Sequence, residues 1–152
     1  MPSSRQPVND QAPLSTSPAR DDAPQRQDDV QARTILVADD SEFERSVIRS
    51  AVEGLTRFHV CGEAGDGVDA IKKARELKPD LVIMDLAMPL MNGAEAAMVL
   101  RNTMPNVPVV LFTLYAEQMR GAISPGFGVT TILSKADGLA PLLECLERLL
   151  GE

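Results

Sequence analysis

The feature that most constrains the fold is a repeated alternation, in which a short apolar run is followed by a helix-like segment. Apolar runs of this length, bounded by polar or turn-forming residues, are typical of strands buried on both faces. The runs occupy residues 34–38, 58–64, 81–84, 108–112 and 130–133. Because helical patterns separate them, the sequence predicts an α/β fold, a doubly wound five-stranded parallel sheet sandwiched by five helices.

Helix signals support this alternation. Ser41 and Glu44 have the spacing of a capping box, and Asp66 is placed to cap the second helix, which Pro79 ends. The first helix carries an apolar stripe typical of packing on a core, formed by Phe43, Val47, Ile48, Ala51, Val52 and Leu55. Later helices are predicted over 93–101, 116–123 and, with a leucine-lined face, 139–150.

The first 32 residues differ in composition from the remainder of the chain. They hold five of the eleven prolines, interspersed with Ser, Gln and Asp, and few large apolar residues. Such a segment cannot bury enough surface to offset the entropy lost on ordering. We therefore expect residues 1–32 to form a disordered tail, with a docking arm as the alternative, and residues 33–152 to form one domain.

Charge and composition exclude several classes of partner. The net charge of −7 and the isoelectric point of about 4.7 argue against direct binding of nucleic acid, which needs clustered Lys and Arg. No apolar run approaches the roughly 20 residues that cross a bilayer, and the N-terminus lacks the apolar segment of a signal peptide. Cys61 and Cys145 form neither a disulfide framework nor a metal-site pattern. The expected protein is soluble and cytoplasmic, with no membrane contact.

Charged or hydroxyl-bearing residues lie at the carboxyl ends of the predicted strands: Asp39, Asp40, Asp85, Thr113 and Lys135. In a doubly wound sheet these ends meet in the crevice that binds ligands, and an aspartate there is costly to bury unless it is paired. Oxygen ligands without histidine or thiolate favour a hard cation such as Mg²⁺. The set therefore resembles a phosphoryl-transfer site in which Asp85 is the nucleophile and Asp39 and Asp40 hold the metal.

The chain resembles the receiver domain of two-component response regulators in the order and spacing of four elements. These are the acidic pair Asp39–Asp40, the segment MDLAMPLMNG around Asp85, Thr113 and Lys135. The resemblance covers the chain from about Thr34 to Leu150. It implies a flavodoxin-like sandwich that accepts a phosphoryl group on Asp85 from a sensor histidine kinase or a phosphotransfer protein. A stand-alone receiver, similar to the chemotaxis regulators, fits the length best.

The resemblance also implies roles for the site residues. Asp40, Asp85 and the backbone carbonyl of Ala87 would coordinate Mg²⁺, with Asp39 assisting. Lys135 would contact the phosphoryl group.

The switch region combines a family residue with departures from the family pattern. Thr113 would rotate toward the phosphoryl group as the switch. Ile132 stands where an aromatic residue is common, and Leu114 stands where a small residue is usual, so Leu114 is expected to narrow access to the aspartate. We expect Tyr115 to shield the acyl phosphate and to slow its hydrolysis.

These implications predict a phosphorylation-controlled signalling switch with no enzyme activity beyond its own phosphorylation and dephosphorylation. The chain ends soon after the last predicted helix, so output is expected through contact with a downstream protein, and the edge of that helix is a candidate surface for a homodimer. The alternatives are a receiver-like interaction module that works without phosphorylation, and a receiver portion cut from a longer regulator. A dehalogenase-type phosphatase would need a second acid where Ala87 stands, and a flavodoxin would need a phosphate-binding loop where the acidic segment DDSEFER stands.

Overall fold

Five strands and five helices form the fold in the computed structural model, which describes residues 32–122 and 127–151. The strands are β1 (Thr34–Ala38), β2 (His59–Ala64), β3 (Leu81–Met84), β4 (Val109–Thr113) and β5 (Thr131–Ser134). The helices are α1 (Glu42–Leu55), α2 (Gly67–Leu77), α3 (Gly93–Thr103), α4 (Ala116–Ala122) and α5 (Ala140–Leu150). The predicted tail, apart from its last residue, and the end of the predicted fourth helix lie outside the described residues.

The sheet has the strand order β2-β1-β3-β4-β5, and every neighbouring pair is parallel. This confirms the predicted doubly wound α/β fold. Within the described ranges, no helix is both long and apolar enough to cross a membrane.

Each face of the sheet has its own apolar core. On one face α1 and α5 pack on the strands, and the buried side chains include Ile35, Val37, Ile48, Val52, Ile83, Val110, Leu142 and Leu146. On the other face α2 and α3 pack on the strands, and the buried side chains include Leu36, Ala38, Ala70, Ala74, Val82, Met84, Ala97, Leu100 and Leu111. Successive strand residues point to opposite faces, so a strand covered on both sides is apolar at every position.

The apolar stripe predicted on the first helix is buried at its centre and not at its ends. Ile48, Ala51 and Val52 are buried, whereas Phe43 is 74% and Leu55 is 73% exposed. A helix of 14 residues is about 21 Å long, and a strand of five residues spans about 17 Å. The helix is thus longer than the strand beside it, and the centre of the predicted stripe packs on the core while its two end residues are exposed.

Helix α1 begins with half of the predicted capping box. The Glu44 N–H donates to Ser41 Oγ (3.1 Å). The returning bond would join the Ser41 N–H to the Glu44 carboxylate, but this N–H donates to Asp39 Oδ1 instead (2.9 Å). The prediction of a full box was therefore wrong for α1, whereas α3 begins with a complete box formed by Asn92 and Glu95.

Ion pairs of Glu63 tie the end of β2 to α1. Glu63 Oε1 lies 2.9 Å from Arg45 Nε, and Oε2 lies 2.7 Å from Arg49 Nε. The hydrogen bond from Arg49, supported by that from Arg45, outweighs the opposing effect of burial and holds the pKa of Glu63 below its ordinary value. Arg45 Nη1 also donates to the Asp39 carbonyl (2.6 Å), so this network fixes the carboxyl end of β1 as well.

Helix α4 is held by few contacts. Of its seven residues, Ala116 alone is buried. Met119 packs against the second core, which is the one on the face covered by α2 and α3, and Arg120 Nη2 donates to the Ile132 carbonyl of β5 (3.0 Å). The helix therefore rests on the sheet mainly through its first turn and this arginine.

Candidate functional site

The site lies at the carboxyl ends of β1 and β3. In the sheet β1 lies between β2 and β3, so the chain leaves β1 toward β2 and leaves β3 toward β4, in opposite directions. The two connections therefore leave a crevice between the carboxyl ends of β1 and β3. Asp39 follows β1 directly, and Asp85 follows β3 directly. The Asp85 N–H donates to the Ala38 carbonyl (2.9 Å), and the Asp39 N–H donates to the Ala64 carbonyl (2.9 Å). The sheet's own hydrogen bonds thus place both aspartates at the crevice.

Three carboxylates meet there. One oxygen each of Asp39, Asp40 and Asp85 lies within 4.8 Å of the others. Asp39 and Asp85 are 1% and 8% exposed, whereas Asp40 is exposed. Like charges this close together repel each other and favour a bound cation. An all-oxygen donor set that is open to water on one side fits a hard divalent ion such as Mg²⁺.

Lys135 supplies a positive charge to the same crevice. It follows β5 and begins a short 3₁₀ turn, Lys135–Asp137. Its Nζ lies 2.7 Å from Asp39 Oδ2 and 3.2 Å from Asp85 Oδ2. Burial alone would lower the pKa of Lys135, but the hydrogen bond to Asp39 and the negative charge of Asp85 outweigh burial and raise this pKa above its ordinary value. The ammonium is therefore charged and fixed between the two aspartates.

Backbone hydrogen bonds orient both buried carboxylates. Asp39 Oδ1 accepts from the Ser41 N–H (2.9 Å), and Asp85 Oδ1 accepts from the Leu86 N–H (2.7 Å). In each carboxylate the other oxygen, Oδ2, accepts from Lys135. The structure therefore holds these side chains in defined orientations.

Two glycines hold the loop after β3 against its surroundings. A Cβ at Gly93 would overlap the Asp85 carbonyl oxygen, and one at Gly67 would overlap the Met91 carbonyl oxygen. The Gly67 N–H donates to that same Met91 carbonyl (3.0 Å), which links the start of α2 to the loop. Glycine permits both approaches because it has no side chain. The loop that carries Ala87 is thereby fixed beside the acidic cluster.

An open cavity of about 740 Å³ lies beside the cluster. Asp40 and Asn92 contribute polar groups to it, and its apolar walls are Leu86, Ala87, Met88, Pro89, Ala94, Tyr115 and Met119. Ala87 is exposed. Of the three carboxylates, Asp40 is the one that lines this cavity.

Thr113 is fully buried at the end of β4. Its Oγ1 accepts a hydrogen bond from the Tyr115 N–H (3.2 Å), which is the local bonding of a strand-end threonine. Leu114 is 66% exposed, and it is Tyr115 that lines the cavity beside Asp40. Ile132 is half-buried and packs on the second core.

Sequence reasoning missed one charged neighbour of Lys135. Glu44 Oε1 lies 3.3 Å from Lys135 Nζ. The interpretation of Glu44 as a capping residue hid this contact. The signal that could have found it is position, since Glu44 lies in the first turn of a helix that begins at the end of β1.

Comparison with known proteins identifies relatives over the folded part of the chain. The model of the response regulator receiver domain family matches residues 35–147. Response regulator protein VraR of Staphylococcus saprophyticus is 36% identical over 114 residues, which is 75% of this chain and 54% of that protein. A protein-glutamate methylesterase/protein-glutamine glutaminase of Pyrococcus horikoshii is 38% identical over 84 residues, which is 55% of this chain and 23% of that protein. The chain therefore spans about half of the first relative and about a quarter of the second.

Among solved structures, response regulator protein TrrA of Thermotoga maritima, in complex with Mg²⁺ and BeF, superposes with a TM-score of 0.71. It is 27% identical in sequence, and the match covers 78% of this chain and 99% of that one. The likeness thus extends over nearly the whole of the solved chain.

Proposed function

The chain belongs to the response regulator receiver domain family, whose general function is that of a phosphorylation-controlled switch, and on this premise we propose that Asp85 is the phosphoryl acceptor. The observation that carries the proposal is the position of the Asp85 carboxylate, beside Asp39 and Asp40 and 3.2 Å from the Lys135 ammonium. A carboxylate in such a setting is an effective covalent acceptor.

The donor in this proposal is a phosphohistidine on a sensor histidine kinase or a phosphotransfer protein. A carboxylate oxygen of Asp85 attacks the phosphorus, the P–N bond breaks, and its electron pair leaves with the imidazole. The product is an acyl phosphate on Asp85. Lys135, which already contacts Asp85 Oδ2, would stabilise the charge on the phosphoryl oxygens. The chemistry of the domain is then limited to the gain and loss of this group.

The acidic cluster is the proposed Mg²⁺ site. Asp40, Asp85 and the backbone carbonyl of Ala87 would be ligands, with Asp39 assisting. The close approach of three carboxylate oxygens and the exposure of Asp40 support this choice, because Mg²⁺ is bound by a few carboxylates and keeps several waters. Bound there, the ion would neutralise charge on the transferred phosphoryl group.

The output would follow from the new charge at Asp85. Phosphorylation adds about −1.5 to −2 charge, which would draw the Thr113 hydroxyl away from the Tyr115 N–H and bias the domain toward a second packing. The face formed by α4, β5 and α5 would then bind a downstream protein, and the edge of α5 is the proposed surface for a homodimer. A cytoplasmic location completes the proposal and agrees with the free thiols of Cys61 and Cys145.

Incubation with acetyl phosphate and Mg²⁺, followed by intact-protein mass spectrometry, tests the proposal. The wild type should gain the mass of one phosphoryl group, and Asp85→Asn should gain none. Asp137→Asn is the matched control, because Asp137 is exposed and lies just beyond Lys135. It should behave as the wild type does. A wild type without the added mass, or an Asp85→Asn variant that still acquires it, would refute the assignment.

A further inference from the structure

The Lys135 ammonium has a third acidic neighbour, Glu44, which comes from α1 and not from a strand end. Glu44 Oε1 lies 3.3 Å from Lys135 Nζ, and its side chain is 42% exposed where that of Lys135 is 10% exposed. The Glu44 side chain is therefore more open to solvent than the ammonium that it contacts. Its negative charge lies next to the positive charge that the phosphoryl group of an anionic donor would contact.

Local hydrogen bonding explains why Glu44 points there. A glutamate three residues after an N-cap serine usually accepts from the serine N–H. Here the Ser41 N–H donates to Asp39 Oδ1 (2.9 Å), so the Glu44 carboxylate is released from the cap. Its backbone N–H still donates to Ser41 Oγ (3.1 Å), which keeps Glu44 in the first turn beside the crevice. The same aspartate thus places both Lys135 and Glu44.

Building on the function proposed above, we propose that Glu44 is a specificity-determining residue, which slows phosphorylation of Asp85 by small donors of high negative charge. Two effects of Glu44 would each lower the rate of phosphorylation by an anionic donor. Its charge repels an anionic donor, and it occupies one side of the ammonium that would otherwise bind the donor's phosphoryl oxygens. Charge selection of this kind insulates the site from small anionic phosphate compounds, while a protein donor can offset it with its own contact surface.

Two small donors that differ in charge separate this role from others. Acetyl phosphate is a dianion at neutral pH, and attack by Asp85 breaks its bond between phosphorus and the bridging oxygen, with acetate as the leaving group. Phosphoramidate is a zwitterion with a single net negative charge. Attack on it breaks the P–N bond, and ammonia leaves with the electron pair and the protons already on nitrogen. Both reactions give the same acyl phosphate on Asp85.

The experiment compares initial rates of phosphorylation by each donor, at fixed Mg²⁺, for the wild type, Glu44→Gln and Glu42→Gln. Glu42 is the matched control, because it lies in the same helical turn, carries the same charge and is exposed. In Glu44→Gln we expect about a fivefold faster reaction with acetyl phosphate and only about a twofold faster reaction with phosphoramidate, because the Coulomb energy is proportional to the charge of the donor. The difference between the donors should shrink at high salt. Glu42→Gln should react with both donors at wild-type rates.

The ratio of the two rates is the decisive quantity, because a change in the folded fraction would alter both rates equally. An unchanged ratio in Glu44→Gln, or an equal change of ratio in Glu42→Gln, would overturn the role of Glu44 while leaving Asp85 as the acceptor. A wild type that reacts with neither donor would instead refute the proposed function, and the inference would fall with it.

Discussion

Replacing Lys135 with methionine removes the ammonium that contacts two buried aspartates, while it keeps an unbranched side chain of similar length. In the wild type, Nζ lies 2.7 Å from Asp39 Oδ2 and 3.2 Å from Asp85 Oδ2. The side chains of these aspartates are 2% and 11% exposed, so water can replace little of the lost interaction. We expect the metal-free Lys135→Met variant to be much less stable than the wild type.

The expected loss follows from the cost of leaving a buried charge without its partner, which is about 3–5 kcal/mol. The lower end applies here, because the exposed Asp40 opens one side of the cluster to water. About 3 kcal/mol corresponds to a fall of about 10 °C in the melting temperature for a domain of this size. Since the pKa of Lys135 is raised in the folded state, its contribution is complete below about pH 10.4 and is lost only as pH rises through the folded-state value.

Urea denaturation, followed by circular dichroism in EDTA and at increasing Mg²⁺, measures this loss. A ligand that binds only the folded protein stabilises it by about 2.7 kcal/mol at a hundredfold excess over its Kd. In the variant no ammonium competes with Mg²⁺ for the aspartates, so the ion should restore more stability there than in the wild type. Lys72→Met, on an exposed position of α2, is the control and should stay within about 0.5 kcal/mol of the wild type.

Two results would refute this reasoning. A loss below about 1 kcal/mol in EDTA would mean that the aspartates do not need the ammonium, as for an ordinary surface pair. A loss that stays the same at every Mg²⁺ concentration would mean that Lys135 stabilises the fold by packing and not by charge.

Five further substitutions test other parts of the structure. Asp40→Asn removes one of three mutually repelling charges, so in the same urea titrations the metal-free protein should gain about 0.5–1 kcal/mol and respond less to Mg²⁺; a loss of stability in EDTA would contradict this. Glu63→Gln should cost about 1 kcal/mol at neutral pH. Because the folded-state pKa of Glu63 is lowered, its contribution is complete above the ordinary glutamate pKa of about 4.3 and is lost as pH falls through the folded-state pKa, so the difference from the wild type should shrink in urea titrations at decreasing pH. Gly67→Ala should lower the unfolding free energy by about 1–3 kcal/mol, since the new Cβ overlaps a backbone carbonyl. By contrast, Gly54→Ala should raise the unfolding free energy by about 0.5–1 kcal/mol, because Gly54 lies in α1 with nothing within 4 Å of the new Cβ. If the melting temperatures of the two glycine variants shifted in the same direction, the steric argument would be ruled out. Tyr115→Ala should shorten the half-life of the phosphorylated protein, followed by mass spectrometry, because Tyr115 lines the cavity beside the cluster; an equal or longer half-life would show that it provides no shield.

The strands could be located from the sequence because strands covered on both faces are continuous apolar runs. The predicted bounds of β1 and β3 match the structure, Thr34–Ala38 and Leu81–Met84. β4 and β5 each begin and end one residue later than predicted, which makes Thr113 the last residue of its strand. Apolar pattern locates the centre of a strand, but pairing with its neighbours decides where the strand ends.

The convergence of charged residues was also predictable, since the carboxyl ends of parallel strands lie at one edge of the sheet, where Asp39, Asp85 and Lys135 meet. Local hydrogen bonding was not predictable. The Ser41 N–H had two acidic candidates of similar strength, Asp39 and Glu44, and the structure assigns it to Asp39. Which of two near-equal partners wins depends on the tertiary position of each carboxylate, and that information is absent from the spacing of residues along the chain.

The loose attachment of α4 affects how much of the domain must be disturbed when this helix rearranges. The free energy of a local opening depends on the apolar contacts and protected hydrogen bonds that it breaks. For α4 these are the burial of Ala116, the partial packing of Met119 and the bond from Arg120 to β5. Opening it therefore costs a small part of the global unfolding free energy and takes from the cores only the partly buried Met119. We therefore expect the backbone amides of α4 to exchange with solvent through local opening of this helix, without global unfolding of the domain.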